Sequence, residues 1–299
     1  MISAVLITSP DLIGDWTPPL FLTATCILTI ALYLRGFSLL RRTRPTFSSL
    51  RAASFCAGIL VLWLALASPL EELADTVLTA HMIEHLLLMS AVPPLVLIGW
   101  PVVPMLRGLP LWLRRSLVHP LLRSRLIRAV LHWLDSPLVA WLLMNATLLL
   151  WHLPKAYDFA LEHEGWHDFE HICFLATSLG FWWILLRPWP ATARSASWGF
   201  LAYLLSADFV NTGLSATLAF IGHPVYAYYL NHTNPLGMDP LMDQQVGASI
   251  MWVFGSMAFL LPALVLAARM LSGGSRDERK SSQLYEREPA RIVRDLKNP

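Results

Sequence analysis

Seven stretches of the chain are almost unbroken apolar runs, covering residues 18–40, 50–68, 81–106, 137–153, 167–186, 197–222 and 246–270. A hydrocarbon core about 30 Å thick takes a helix of roughly 20 mainly apolar residues, so each run predicts a membrane-spanning helix. None shows the two-residue alternation of a barrel strand, and only helices and closed barrels satisfy their backbone in lipid. The fourth run is short. The third is interrupted by Pro93, Pro94, Pro101 and Pro104, which predicts a kink or an early end. Residues 107–134 mix Leu111, Trp112 and Leu126 with Arg114, Arg115, Arg125 and Arg128, as an amphipathic segment on the inner leaflet would. Residues 272–299 are polar and mixed in charge, which predicts a disordered cytoplasmic tail. The expected fold is all-α: a seven-helix integral membrane domain over 1–271, then the tail.

Composition narrows the class. Of 299 residues, 56% are hydrophobic and 14% charged, against about 25% charged in soluble domains; mean hydropathy is +0.53. A water-soluble globule is excluded. The net charge of +2 gives no bulk attraction to nucleic acid, so none is expected as a partner. Cys26, Cys56 and Cys173 lie far apart with no CxxC pair, which argues against zinc knuckles and dithiol redox chemistry. The first sixteen residues carry no Lys or Arg but contain Asp11 and Asp15, so a cleavable signal peptide of the usual kind is not expected.

The few charges are sorted by side. Arg35, Arg41, Arg42, Arg44 and Arg51 surround the first connection. Six arginines from Arg107 to Arg128 occupy the third, and Arg187 and Arg194 the fifth. Eight basic residues lie at or beyond the end of the last run. The opposite side holds only Lys155, so 21 of 22 Lys and Arg share one side. The positive-inside rule then predicts the N-terminus outside and the C-terminus in the cytoplasm.

Ten histidines break this pattern differently. His119 and His132 fall on the inner side, whereas His81, His85, His152, His163, His167, His171, His223 and His232 fall at or near the outer face. Residues four apart share a helix face. His81 and His85 form such a pair, and His163, His167 and His171 form a row, with His152 placed to join them at the outer end of the fourth run. Stacked imidazoles can hold a metal ion, or face a second pair across a helix interface. Both pairs sit in the string His-x-x-Glu-His, as His81–Glu84–His85 and His167–Glu170–His171. That order matches an inverted zinc-peptidase motif with the Glu as general base. Met89 extends the His81–His85 face by four residues, with Met82 beside it, and thioether with imidazole suits copper. Facing imidazoles would equally ligate haem iron. The bland alternative is a set of interfacial side chains bonded to headgroups and water.

Polar residues also lie deep in the runs. Asn145 precedes His152 by seven residues, two turns on the same face, and Asp208 and Asn211 share a face of the sixth run. A carboxylate at that depth marks a functional cavity or fastens helices together.

His81–Met82–x–x–His85 with Leu86 to Met89, then Pro93–Pro94 and Gly99–x–Pro101, resembles the opening motif of the multi-spanning CtaG family of cytochrome c oxidase assembly factors. Trp151–His152–x–Pro154 with Tyr157–Asp158 resembles the second motif, and His167–x–x–Glu170–His171 followed by Phe181–Trp182–Trp183 the third. Pro224, Tyr228–Tyr229, Asp243–Gln244–Gln245 and Gly247 through Met251–Trp252 are similar to the last outer loop and span. The resemblance runs from about His81 to Trp252 in family order. It implies a bacterial plasma-membrane protein, not an enzyme, needed to build a haem–copper terminal oxidase. Its partners would be an oxidase subunit or copper-delivery proteins. It also implies a possible copper role, since related domains occur joined to copper-resistance membrane modules. It carries over His81, Met82, His85, His152, His167, Glu170 and His171 as the polar set. The expected site is an outward-facing metal centre of His81, His85, His152, His167 and His171, with Glu170 and Asp158 orienting the ligands. The alternatives are a transporter of copper or a related solute, lined by Asp208 and Asn145, and a haem-binding membrane protein or oxidoreductase.

Overall fold

The fold is taken from a computed structural model, which describes residues 16–43, 47–187 and 198–271. The 272–299 segment expected as a tail lies outside them, as do Arg44 and Arg194. Among the described residues all regular structure is helical. Five helices are long and apolar enough to cross a membrane: α1 (Leu20–Thr43), α2 (Ser49–Ala67), the broken helix Leu78–Ile98, α12 (Glu164–Leu186) and α15 (Pro240–Leu271). A sixth appears if α9 (Arg125–Leu134) and α10 (Pro137–Trp151), bent by 75° to each other, count as one span. The sixth expected run forms α13 (Trp198–Phe220), long enough at 23 residues. It is not among these five, its Asp208, Asn211 and Thr212 lowering its hydropathy. Length and apolarity thus support five to six spans.

The connections are helical too. Ser68 closes α2 and caps α3 (Pro69–Ala74), accepting from the Leu70 N–H at 3.2 Å. Beyond the broken helix come α6 (Val102–Gly108), α7 (Leu111–Leu113), a π turn at Arg114–Val118, α8 (His119–Arg123) and then α9. None of the α9 residues is buried, as expected of a helix lying along an interface. After α10 follow α11 (Pro154–Leu161) and, between α13 and α15, α14 (Ala227–Leu230).

The broken helix is central. Its first part, α4 (Leu78–Leu86), passes through a π turn at Leu87–Ala91 into α5 (Val92–Ile98). Pro93 explains part of the break. It has no N–H to give the carbonyl of Met89 four residues back, and that carbonyl accepts instead from the Trp182 indole at 3.0 Å. The chain then reverses at Trp100, which adopts a left-handed φ of 51°. Arg51 covers its ring at 3.2 Å from the centroid, and the Tyr33 hydroxyl donates to the Gly99 carbonyl at 2.6 Å. The kink expected from the prolines is therefore a π turn followed by a tight reversal.

Around this axis α15 packs on α4, α2 and α12 pack on α5, α10 lies against α12, and α13 pairs with α15. α1 and α6 form a flank with α2 around Tyr33, Phe37 and Phe55. Outward positions are apolar, Phe209 being 78% exposed and Leu264 67%, as for helices whose solvent is lipid.

Candidate metal centre

α4 starts at Val77, which offers no side-chain cap. The cap comes from α15 instead. Asp243 accepts from the Leu78 N–H at 2.8 Å and the Thr79 N–H at 2.9 Å, and from Asn234 Nδ2 at 3.0 Å. A carboxylate at a helix N-terminus also meets the positive end of its dipole. Gly247, one turn further along α15, permits the close approach: a Cβ there would lie 3.2 Å from Thr79 Cα and 3.3 Å from Met82 Cγ. Sequence reasoning noted Asp243 only within its family-like string and missed its capping role, because its partner backbone lies 164 residues or more away.

Anchored this way, α4 turns one face inward. His81, Glu84 and His85 are 0%, 0% and 3% exposed. α12 presents the same pattern, with His167, Glu170 and His171 all buried. Ring centroids of His81 and His85 lie 4.1 Å apart, His167 and His171 4.2 Å, His81 and His167 5.2 Å, and His85 and His171 5.4 Å. The two His-x-x-Glu-His strings cross-pair. Glu170 Oε1 is 3.8 Å from His85 Nε2, and Glu84 Oε1 is 3.6 Å from His171 Nε2.

Two sets of donor atoms converge within 4.8 Å: His81, His85, His167 and Glu170, and Glu84, His167 and His171. Small side-chain rotations would bring either set to bonds of about 2.0–2.2 Å around one ion. Both nitrogens of His81 and His85, Nε2 of His167 and His171, and both oxygens of Glu84 and Glu170 are buried without a hydrogen-bond partner among the described residues. Buried polar atoms are almost always paired, and unpaired carboxylates in a low-dielectric interior are costly. A cation bound between the helices would take one donor atom from each residue of either set, and imidazole with carboxylate is a transition-metal donor set. Glu84 was singled out in the sequence only through its string. The signal was its position three residues after His81, on the same helix face.

His152 stands at the edge of this group, its ring 6.3 Å from that of His85. Its Nδ1 lies 2.8 Å from the Leu148 carbonyl. A carbonyl only accepts, so Nδ1 carries the proton and Nε2 keeps its lone pair. That nitrogen is buried and unpartnered. His163, the third member of the expected row, is exposed and rests on Phe159. His223 and His232 are exposed too.

Aromatic rings close one side of the cluster. Tyr157 packs 5.1 Å from His81 and stacks on Tyr226 at 3.9 Å. The Tyr226 hydroxyl donates to the His152 carbonyl at 3.3 Å. Burial, reinforced by Tyr229 and Tyr226, raises the Tyr157 phenol above its ordinary range and keeps it neutral. Asp158 departs from expectation. Rather than turning to a histidine, it accepts from the N–H groups of Ala227 and Tyr228 at 3.2 and 3.1 Å, fastening the aromatic loop.

The deeper polar residues are dispersed. Asn145 Nδ2 donates to the Trp141 carbonyl of its own helix at 2.8 Å. Asn211 lines a small cavity beneath the histidines, as does Met89. Asn211 also lies so near Gly255 that a Cβ there would meet its Nδ2 at 2.7 Å. Asp208, three residues earlier on α13, is half-buried, and its Oδ1 has no hydrogen-bond partner among the described residues.

The family model described as cytochrome c oxidase caa3 assembly factor matches residues 31–272. Uncharacterized proteins of Mycobacterium bovis and Mycobacterium tuberculosis are each 24% identical over 262 residues, covering 85% of this chain and 38% of the relative. One from Mycobacterium leprae is 21% identical over 277 residues, covering 89% and 40%. The chain thus spans about two-fifths of the length of these curated relatives. No solved structure matches it.

Proposed function

Because the chain belongs to the family of cytochrome c oxidase caa3 assembly factors, we propose that it supports oxidase metal-centre maturation by holding copper at the His/Glu cluster. The observation that carries this reading is the convergence of His81, His85, His167 and Glu170 from two membrane helices. Imidazole and carboxylate accommodate copper and zinc alike; the haem–copper chemistry of the client favours copper. His171 with Glu84 supplies an adjoining set, and His152 a further nitrogen at the edge. The ion would be captured by imidazole and released by ligand exchange to an oxidase subunit or a copper-delivery protein.

The membrane arrangement we propose has seven spans, α13 included, in the bacterial plasma membrane. The 21-to-1 division of Lys and Arg supports an N-terminus and a cluster at the outer side. The protein then acts as a non-enzymatic holder: each Glu of the two His-x-x-Glu-His strings sits within the ligand group, facing the other string's histidine.

The test is genetic. Deletion should abolish assembled, spectroscopically intact oxidase, and wild-type protein should restore it. A His81→Ala/His167→Ala variant present in the membrane at normal level should not. Full oxidase in the deletion strain, or full rescue by that variant, would overturn the reading.

A further inference from the structure

Beneath the histidines lies a cavity of about 30 Å³, room for about one water molecule. Four of its lining residues are methionines: Met82 of α4, Met89 of the π turn, Met144 of α10 and Met251 of α15. The whole chain has ten in 299 residues. Methionine ordinarily fills irregular gaps because it is unbranched and flexible. Here four of them border a space that remains open. Met82, Met144 and Met251 are 2%, 2% and 6% exposed. His85 and His152 line the same space, and each has a buried ring nitrogen with no partner among the described residues. The π turn adds a reason for the placement. An extra residue per turn shifts the helix face, and Met89 lies in that turn, four residues after His85.

We infer that this cavity is a second metal site, distinct from the His/Glu cluster, that takes a soft monovalent cation such as Cu(I) or Ag(I) through thioethers and imidazole. Thioether is a neutral, soft donor that suits Cu(I) and Ag(I) better than magnesium or calcium, and imidazole, also neutral, accepts copper as well. Charge points the same way. No carboxylate lines the cavity, and the cost of burying an ion in low dielectric grows with the square of its charge, so a single charge is tolerated best. The His/Glu cluster, with Glu84 and Glu170, offers the opposite: two carboxylates that compensate a divalent ion. His85 belongs to both groups, so an ion can pass between them by exchanging its other ligands while remaining on one imidazole. This builds on the copper reading above, but its thioether ligands lie outside the His/Glu cluster.

The experiment uses the full chain purified in detergent and titrated with Cu(I) against a competing chelator, with Ag(I) as a redox-inert check and Zn(II) as the probe of the upper cluster. Expected are sulfur neighbours in the X-ray absorption spectrum of the Cu(I) form. Met144→Leu/Met251→Leu should lose at least tenfold in Cu(I) and Ag(I) affinity and keep Zn(II) binding. His167→Ala/Glu170→Gln should lose Zn(II) and keep sulfur-ligated Cu(I). A Cu(I) shell of nitrogen and oxygen alone, or unchanged affinity in the methionine variant, would overturn the inference. If the wild type fails to bind Zn(II) yet holds sulfur-ligated Cu(I), the upper centre is wrong and the cavity site stands. Should the leucine variant not fold, selenomethionine-labelled wild type decides: a copper neighbour at the selenium edge supports the site, and none contradicts it.

Discussion

Glu71 of α3 shows how an individual carboxyl responds to its surroundings. Burial, then Asp75, Asp168, Glu72 and Glu164, push its carboxyl up to about 7 from the ordinary 4.5. Between those values the folded chain keeps a proton that the unfolded chain releases. Stability should therefore fall as pH rises from about 4.5 to about 7 and level off above. Thermal unfolding across that range should show this slope in the wild type, and Glu71→Gln should flatten it. An unchanged slope would mean the carboxyl is not held this way. At the same scale, the residues of the His/Glu cluster were largely legible. Four-residue spacing put His81 with His85 and His167 with His171, and the i+3 relation put Glu84 and Glu170 on the same faces. Asp158 was not legible. Its two N–H partners lie 69 and 70 residues away, and no local pattern announces a tie of that length.

Among elements, α4 depends on α15 for its cap, because Asp243 satisfies the first N–H groups of the helix that carries His81 and His85. Asp243→Ala should cost about 1.5–3 kcal/mol, the range for hydrogen bonds to a charged group. It should also weaken metal binding, since α4 loses its anchor; unfolding midpoints and metal titration of one preparation check both. A second element-level dependence lies at the crossing of α1 and α6. A Cβ on Gly36 would overlap the Pro104 carbonyl, and one on Gly108 the Leu32 carbonyl. Gly36→Ala should destabilise by about 1–3 kcal/mol or more through overpacking. Gly213→Ala, with nothing near its site, should be neutral or slightly stabilising. Equal melting temperatures for the two would refute the packing. Some helix positions were readable from apolar runs to within a residue, as with 50–68 against the observed Ser49–Ala67. By contrast, the 81–106 run overshot the helix end at Ile98, and the 246–270 run began six residues after Pro240. The π turn was not. Proline signals that a helix is disturbed, but whether it kinks, ends or widens depends on which neighbour takes the freed carbonyl, here Trp182.

Across the whole molecule, two asymmetries coincide. Almost all Lys and Arg lie on one side of the expected topology, and the buried His/Glu cluster lies toward the other. With seven spans and the N-terminus outside, a single cysteine replacing Lys155 should react with a membrane-impermeant thiol reagent in intact cells. One replacing Arg115 should react only after lysis. The reverse labelling would invert the topology and move the cluster to the cytoplasmic side.

The central claim is that histidines from α4 and α12 jointly hold a metal ion, and the metal content of the purified protein tests it most directly. Chains produced with copper and freed of loosely bound ions should contain a full equivalent more metal in the wild type than in His81→Ala/His167→Ala. Equal metal content in the two, or a wild type devoid of metal, would contradict the account.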